Sequence, residues 1–303
     1  MRIATLLPSA TEIVAALGCD GQLVGISHSC NYPEQLARLP RLTSTRVPFT
    51  QSSEAIDTFV RGHLVNQDAL YDLHTERLAD LAPDIVVSQA LCDVCAVATG
   101  DVIRAIESLP SKPLLVDLNP NTLDDVFDDI RRVASALGAN QSGDDLVASL
   151  RRRFDAVCDK TATIPSRDRP RVAFLEWLAP PFNGGHWNPQ LVQAAGGIDL
   201  LGAHGKPSTT QSWEGIAERD PDVLFVACCG FRIERAMDDF SQLQNNDVWR
   251  NLTAVKTGNV YLTDGNAYFS SPGPRLIDGL EILAHALHPS VHADLHPGML
   301  RQP

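Results

Sequence analysis

The sequence predicts an α/β fold of two Rossmann-like lobes bridged by a long helix, with a cleft between the lobes. Three observations lead there. One unit is used twice, 138 residues apart: Glu76-Arg-Leu-Ala-Asp-Leu-Ala-Pro83-Asp84-Ile-Val-Val-Ser-Gln and Glu214-Gly-Ile-Ala-Glu-Arg-Asp-Pro221-Asp222-Val-Leu-Phe-Val-Ala. Each has a glutamate seven residues before a Pro-Asp turn that feeds a short apolar run, the pattern of a helix, a turn and a buried strand. The opening Arg2-Ile-Ala-Thr-Leu-Leu is echoed by Arg171-Val-Ala-Phe-Leu-Glu. Between the halves, residues 121 to 160 are almost wholly helical in pattern, which makes a stiff strut rather than a flexible linker. The division expected is 1–120 for the first lobe, 121–165 for the bridging segment, 166–288 for the second lobe and 289–303 for a loose tail.

Taken in order, residues 2–7 read as a strand, and Ser9-Ala-Thr-Glu12 has capping-box spacing for a helix ending near Gly18. Leu23–Ser27 is a second strand. After a Pro-bearing loop, Glu76–Leu81 is a helix and Ile85–Ser88 a strand, followed by a helix over 100–109 and a strand over 113–117. In the bridging segment Val126, Ile130, Val133 and Leu137 fall at helical spacing, as do Leu146, Leu150, Phe154 and Cys158. Residues 138–143 interrupt the two stretches, and Pro165–Pro170 ends them. The second half restarts at Arg171, has a helix over 189–195 closed by Gly196-Gly197, a strand over 260–262 and a last helix over 274–287 with proline at its start.

At 303 residues, with 44% hydrophobic and 20% charged residues, the chain is an ordinary globular composition with room for two cores. A net charge of −12 argues against a phosphate-backbone partner, and no long Lys/Arg run offsets it. No segment approaches the roughly 20 apolar residues of a membrane span. The apolar run after Met1-Arg2 is short for a signal-peptide core and lacks a cleavage site. The chain as written is therefore expected in the cytoplasm, and in the periplasm if the true start lies upstream.

The order and spacing of several stretches resemble the cobalamin-binding branch of the class III (helical-backbone, TroA-like) substrate-binding proteins of ABC importers. They are Leu7-Pro8-Ser9-Ala10-Thr11-Glu12, Val24-Gly25-Ile26-Ser27 with Tyr32-Pro33, Ala82-Pro83-Asp84-Ile85-Val86, Phe174-Leu175-Glu176-Trp177, Pro180-Pro181-Phe182-Asn183-Gly184-Gly185, and Tyr268-Phe269 through Pro274-Arg275. The resemblance runs from about residue 2 to 288. It implies a corrinoid (cobalamin-like) or related metal-chelate ligand held between two lobes with little hinge motion. It also implies that Glu76 and Glu214 dock an ABC permease, a partner available only to an exported chain. The plainer reading is that each glutamate complements the first turn of its helix.

The residues themselves agree with a binding protein. Ligands of open α/β sheets sit beyond the carboxyl ends of the strands. Those ends carry Pro8, Ser9, His28, Gln89, Trp177, Tyr268 and Phe269, with Phe182, His186 and Trp187 close by. Aromatic rings there suit a large, flat, partly apolar ligand. The alternative for the aromatics, and for Phe182 and Phe269 in particular, is a place in the core. No Gly-x-Ser-x-Gly, phosphate-cradling loop or His-Glu-x-x-His occurs, so binding rather than catalysis is expected.

Seven cysteines in a chain of this kind favour free thiols or metal ligands over disulfides. Cys30, Cys92, Cys95 and Cys229 lie at expected strand ends. Together they make a second expectation: a cytosolic zinc or iron–sulfur protein, with enzyme activity as a minority reading. Cys-x-x-Cys equally suits a redox pair, and buried cysteine is often only a small hydrophobe. Cys19 and Cys158 read as core, and Cys228 points inward by strand alternation.

Overall fold

The computed structural model describes residues 1–66, 69–89 and 99–294. It divides into two compact units, Met1–Pro120 with Asp124–Ala148, and Asn121–Leu123 with Ser149–Pro303.

In the first unit the chain order is β1 (Ile3–Thr5), α1 (Pro8–Ala16), β2 (Leu23–Gly25), β3 (Thr43–Thr45), α2 (Ser53–Asn66), β4 (Tyr71–Leu73), α3 (Thr75–Leu81), β5 (Ile85–Gln89), α4 (Thr99–Ser108), β6 (Leu114–Leu118) and α5 (Leu123–Ala136). The sheet is parallel, in the order β2-β1-β5-β6. Parallel strands need both faces covered, which is why β5 opens on the apolar run Ile85-Val86-Val87 and is buried along its whole length. Leu78 of α3 and Val102 of α4 pack with Ala4, Leu42 and Val86. The segment from β3 to β4, expected as a Pro-bearing loop, is an antiparallel pair around α2. The predicted stripe Val126, Ile130 and Val133 on α5, with Leu137 just past its end, is buried.

The division between units falls inside α6 (Asn140–Ala162), 23 residues and about 35 Å long at the helical rise. Its deepest apolar positions are Val147, Leu150 and Val157, while Leu146, Phe154 and Cys158 of the predicted series are half-buried. The buried stripe is offset by one residue at Val147 and Val157, as a broad apolar face allows.

The second unit continues with β7 (Arg171–Leu178), β8 (Pro181–Asn183), α7 (Asn188–Ala194), β9 (Ile198–Asp199), α8 (Trp213–Arg219), β10 (Val223–Val226), α9 (Ile233–Leu243), α10 (Asp247–Asn251), α11 (Thr253–Lys256), β11 (Val260–Leu262), α12 (Gly265–Tyr268) and α13 (Leu276–Leu287). Its sheet order is β11-β10-β7-β8, with β9 also on β7, and only the β7–β8 hairpin is antiparallel. Phe174, Phe225 and Phe269 meet at its centre with ring centroids 5.2 to 5.5 Å apart, two of the three contacts edge to face.

The duplicated Pro-Asp turn acquires a physical role. Asp84 Oδ2 accepts the Arg2 amide at 2.7 Å, and the Arg2 guanidinium returns to Leu81 O. Asp222 Oδ2 accepts the Arg171 amide at 2.8 Å, and that guanidinium reaches the carbonyls of Arg219 and Asp220. Ala82 and Asp220, just before the prolines, take positive φ and end their helices. Each copy therefore staples the start of its unit's first strand to the turn entering the neighbouring strand. No described helix is long and apolar enough to cross a membrane.

Candidate functional site at the strand ends

In the first unit β1 runs straight into α1, whose first residue is Pro8. The expected capping box does not form, because Ser9 is already helical and Leu7, with no side-chain bond, stands at the cap. Ser9 is 1% exposed and its Oγ has no hydrogen-bond partner. Beyond β2 the chain turns through Ser27 to Tyr32 under the control of Arg41. Arg41 Nη1 donates to Ser27 O (2.8 Å) and Cys30 O (2.7 Å). Half-buried His28 lies between those carbonyls, with Nδ1 2.7 Å from Thr43 Oγ1. Burial, then the Arg41 and His74 charges, hold its imidazole below the usual histidine pKa.

Cys30 is sealed. It is 2% exposed, and its Sγ lies 2.9 Å from Thr11 Oγ1, which in turn is 2.6 Å from Thr5 Oγ1. Burial pushes the thiol pKa up, against the thiolate a metal requires. Gln89 ends β5 almost buried. Cys92 and Cys95 lie outside the described residues.

Near the end of β6, Arg132 Nη1 bridges Asp117 O (3.0 Å) and Asp129 Oδ1 (2.7 Å). Asp129 Oδ2 and Asp117 Oδ1 are buried without partners. Burial raises the Asp129 pKa to about 6, against the attraction of Arg132 and a hydrogen bond from the Asn119 backbone amide, and with help from Asp125 and Asp117.

In the second unit β7 delivers Glu176 and Trp177. Glu176 Oε2 accepts from Gly185 N (3.1 Å) and Asn188 Nδ2 (3.4 Å), and the Ser208 side chain also bonds it. Burial raises its pKa, with those three bonds opposing. This carboxylate pins the turn carrying His186. The turn packs so closely that a Cβ on Gly185 would collide with Ser208 N. His186 takes φ +54, with its amide on Lys206 O and its Nδ1 buried without a partner. Burial also lowers the pKa of this imidazole.

Half-buried Trp177 donates Nε1 to Ala179 O and stands 4.8 Å from the Phe231 ring. Phe182, opposite it in the hairpin, is also half-buried. Trp187 is 4% exposed and fixed by Nε1 to Phe269 O at 2.9 Å. Half-buried Tyr268 is placed by α12, which Asp264 caps through Ala267 N at 2.8 Å. Phe269, read from sequence as ligand-facing, is 1% exposed in the aromatic centre, because the α12 turn sends it under the sheet end. Cys228 is buried, as alternation predicted, with burial driving its pKa upward, while Cys229 is half-buried with its amide on Glu176 O. Among the described residues no group of three or more His, Cys, Asp or Glu is placed to hold a metal ion.

Asn183 was quoted in the sequence only as part of a motif, yet it organises this rim. It is 3% exposed, and its Oδ1 accepts from Thr209 N, Thr209 Oγ1 and Gln211 Nε2 at 2.7 to 3.0 Å. Its position before Gly184-Gly185 is the signal that pointed to it. Thr43 and Arg41 had no local signal, because their partners lie 11 to 15 residues away. Glu76 and Glu214 are both exposed second residues of their helices, α3 and α8, and neither forms an ion pair among the described residues.

Two α/β units built on parallel sheets, with polar side chains at the carboxyl ends of the strands in both and aromatic ones beside them in the second, are the architecture of the periplasmic-type binding proteins. The chain belongs to the periplasmic binding protein family, whose profile matches residues 3–267. It is 24% identical over 293 residues to an uncharacterized ABC transporter substrate-binding lipoprotein of Bacillus subtilis (strain 168), covering 95% of this chain and 80% of that one. It is 22% identical over 288 residues to the vitamin B12-binding protein of Vibrio cholerae (strain ATCC 39541), covering 92% and 86%. Among solved structures, the apo periplasmic heme-binding protein RhuT of Roseiflexus sp. RS-1 superposes with a TM-score of 0.72 at 23% identity, covering 96% and 98%. The periplasmic vitamin B12 binding protein BtuF of Vibrio cholerae does so at 0.69 and 20%, covering 95% and 96%. These structural likenesses establish the fold.

Proposed function

We propose that this chain is a substrate-binding protein that takes a corrinoid, cobalamin-like, or related metal chelate at its strand ends. It then serves an ABC-type permease through Glu76 and Glu214 from outside the cytoplasm. The observation that carries the reading is Trp177: a half-buried indole, tethered through Nε1 and backed by Phe231, offered at the end of the central strand. A held aromatic face binds a flat ligand with little loss of side-chain entropy. The name of the Vibrio cholerae relative, matched over 92% of this chain, supports the corrinoid within that class. The cysteine alternative draws no support from Cys30, whose sealed thiol is already bonded to Thr11.

The test is equilibrium binding of cobalamin to the native chain and to Trp177→Ala, with thermal melts of both. The expected result is one cobalamin per native chain and at least tenfold weaker binding by the variant at an unchanged melting temperature. Equal affinities would remove Trp177 from the site, and no binding by the native chain would remove the corrinoid.

A further inference from the structure

His28 and His186 both stand at strand ends, but their ring nitrogens are treated differently. A neutral imidazole that gives the Nε2 lone pair to a metal must carry its proton on Nδ1. At His186 that proton would meet no acceptor, since Nδ1 is sealed from solvent and has no partner. At His28 an acceptor is in place: Thr43 Oγ1 lies 2.7 Å from Nδ1 and also accepts the His28 amide at 2.9 Å. Thr43 is itself 2% exposed and locked into the β3–β4 pair opposite Leu73. The Tyr71 ring stands 5.5 Å from the imidazole, and Arg41 holds the carbonyls on either side. The ring's orientation is therefore fixed from its Nδ1 side. Nε2 takes no hydrogen bond among the described residues, on a side chain that is only half-buried.

We propose that His28 Nε2 is an axial ligand to the metal of the bound chelate. This rests on the substrate reading above. An oxygen acceptor behind the metal-facing nitrogen is the usual support of a ligating histidine, fixing both tautomer and direction. The step is a ligand exchange. The axial water leaves a cobalt(III) centre, the Nε2 lone pair fills the vacated position, and the proton stays on Nδ1 against Thr43. No electron is transferred.

The experiment compares aquacobalamin, whose axial water exchanges, with cyanocobalamin, whose axial positions are both filled. The native chain is expected to bind both, to change the visible spectrum of aquacobalamin alone, and to hold it about tenfold or more tighter. His28→Asn keeps a polar group facing Thr43 and lacks Nε2, so it serves even if His28→Ala fails to fold. Both variants should lose the spectral change and bind the two cobalamins equally. A spectral change that persists in His28→Asn overturns the assignment, as does bound aquacobalamin with an unaltered spectrum. Binding of neither cobalamin by the native chain fells the substrate reading itself, and this inference with it.

Discussion

Asp129→Asn should stabilise the protein at neutral and alkaline pH and do nothing at acid pH. Asp129 is 3% exposed on α5; its carboxylate meets Arg132 and the Asn119 amide, while Oδ2 has no partner. Its folded pKa of about 6 compares with 3.8 for the group in an unfolded chain. A carboxyl whose folded value is raised favours the protonated native state. Its adverse effect is absent below about pH 4, grows as pH rises, and is complete once pH exceeds the folded value. Two units at 1.36 kcal/mol each put the full effect at up to about 3 kcal/mol. Asparagine keeps an oxygen for Arg132 and carries no charge to desolvate. Urea unfolding of both proteins between pH 4 and 8 should show the variant's advantage opening through pH 5–7. A native protein more stable than Asp129→Asn at pH 8, or a difference that ignores pH, would refute the account.

Two further outcomes are expected. Phe269→Ala empties the centre of a three-ring cluster and should cost about 3–5 kcal/mol in denaturant unfolding; a cost below 1 kcal/mol would show the ring is not core. Exchanging both Glu76 and Glu214 for arginine should leave cobalamin affinity intact while abolishing uptake of labelled cobalamin by cells that depend on this chain. Uptake above half the native rate would refute docking through that pair.

Much of the fold was legible because its signals are local. The Pro-Asp repeat, the apolar run of β5 and the α5 stripe each announce an element within about fifteen residues. The excursion from β3 to β4 has no local signal, since its strands are three residues long and mostly half-buried, too short for alternation to register. The helices between β10 and β11 come in pieces of 11, 5 and 4 residues, the last two too short for helical periodicity to show. At the site, the residue types stood out, but which side chains are offered and which are packed did not. Phe269 and Tyr268 are neighbours of one composition, and only the α12 turn separates them. Cys30 looked like a ligand because nothing in the sequence reveals that Thr11, nineteen positions away, already bonds its sulfur.

The paired staples also bear on the order in which the chain acquires structure during synthesis. β1 is an interior strand, so although β2 reaches it early, its other neighbour is made some 80 residues later. At about 5–20 residues per second that leaves a nascent apolar edge open for roughly 4–16 s, and the Arg2–Asp84 contact closes only then. β7 is interior too, but β8 follows within a few residues as a hairpin, so one edge is covered almost at once. Its staple spans 51 positions instead of 82. The two halves share a plan and differ in tempo: the amino-terminal half is the one that should need chaperone cover on the ribosome.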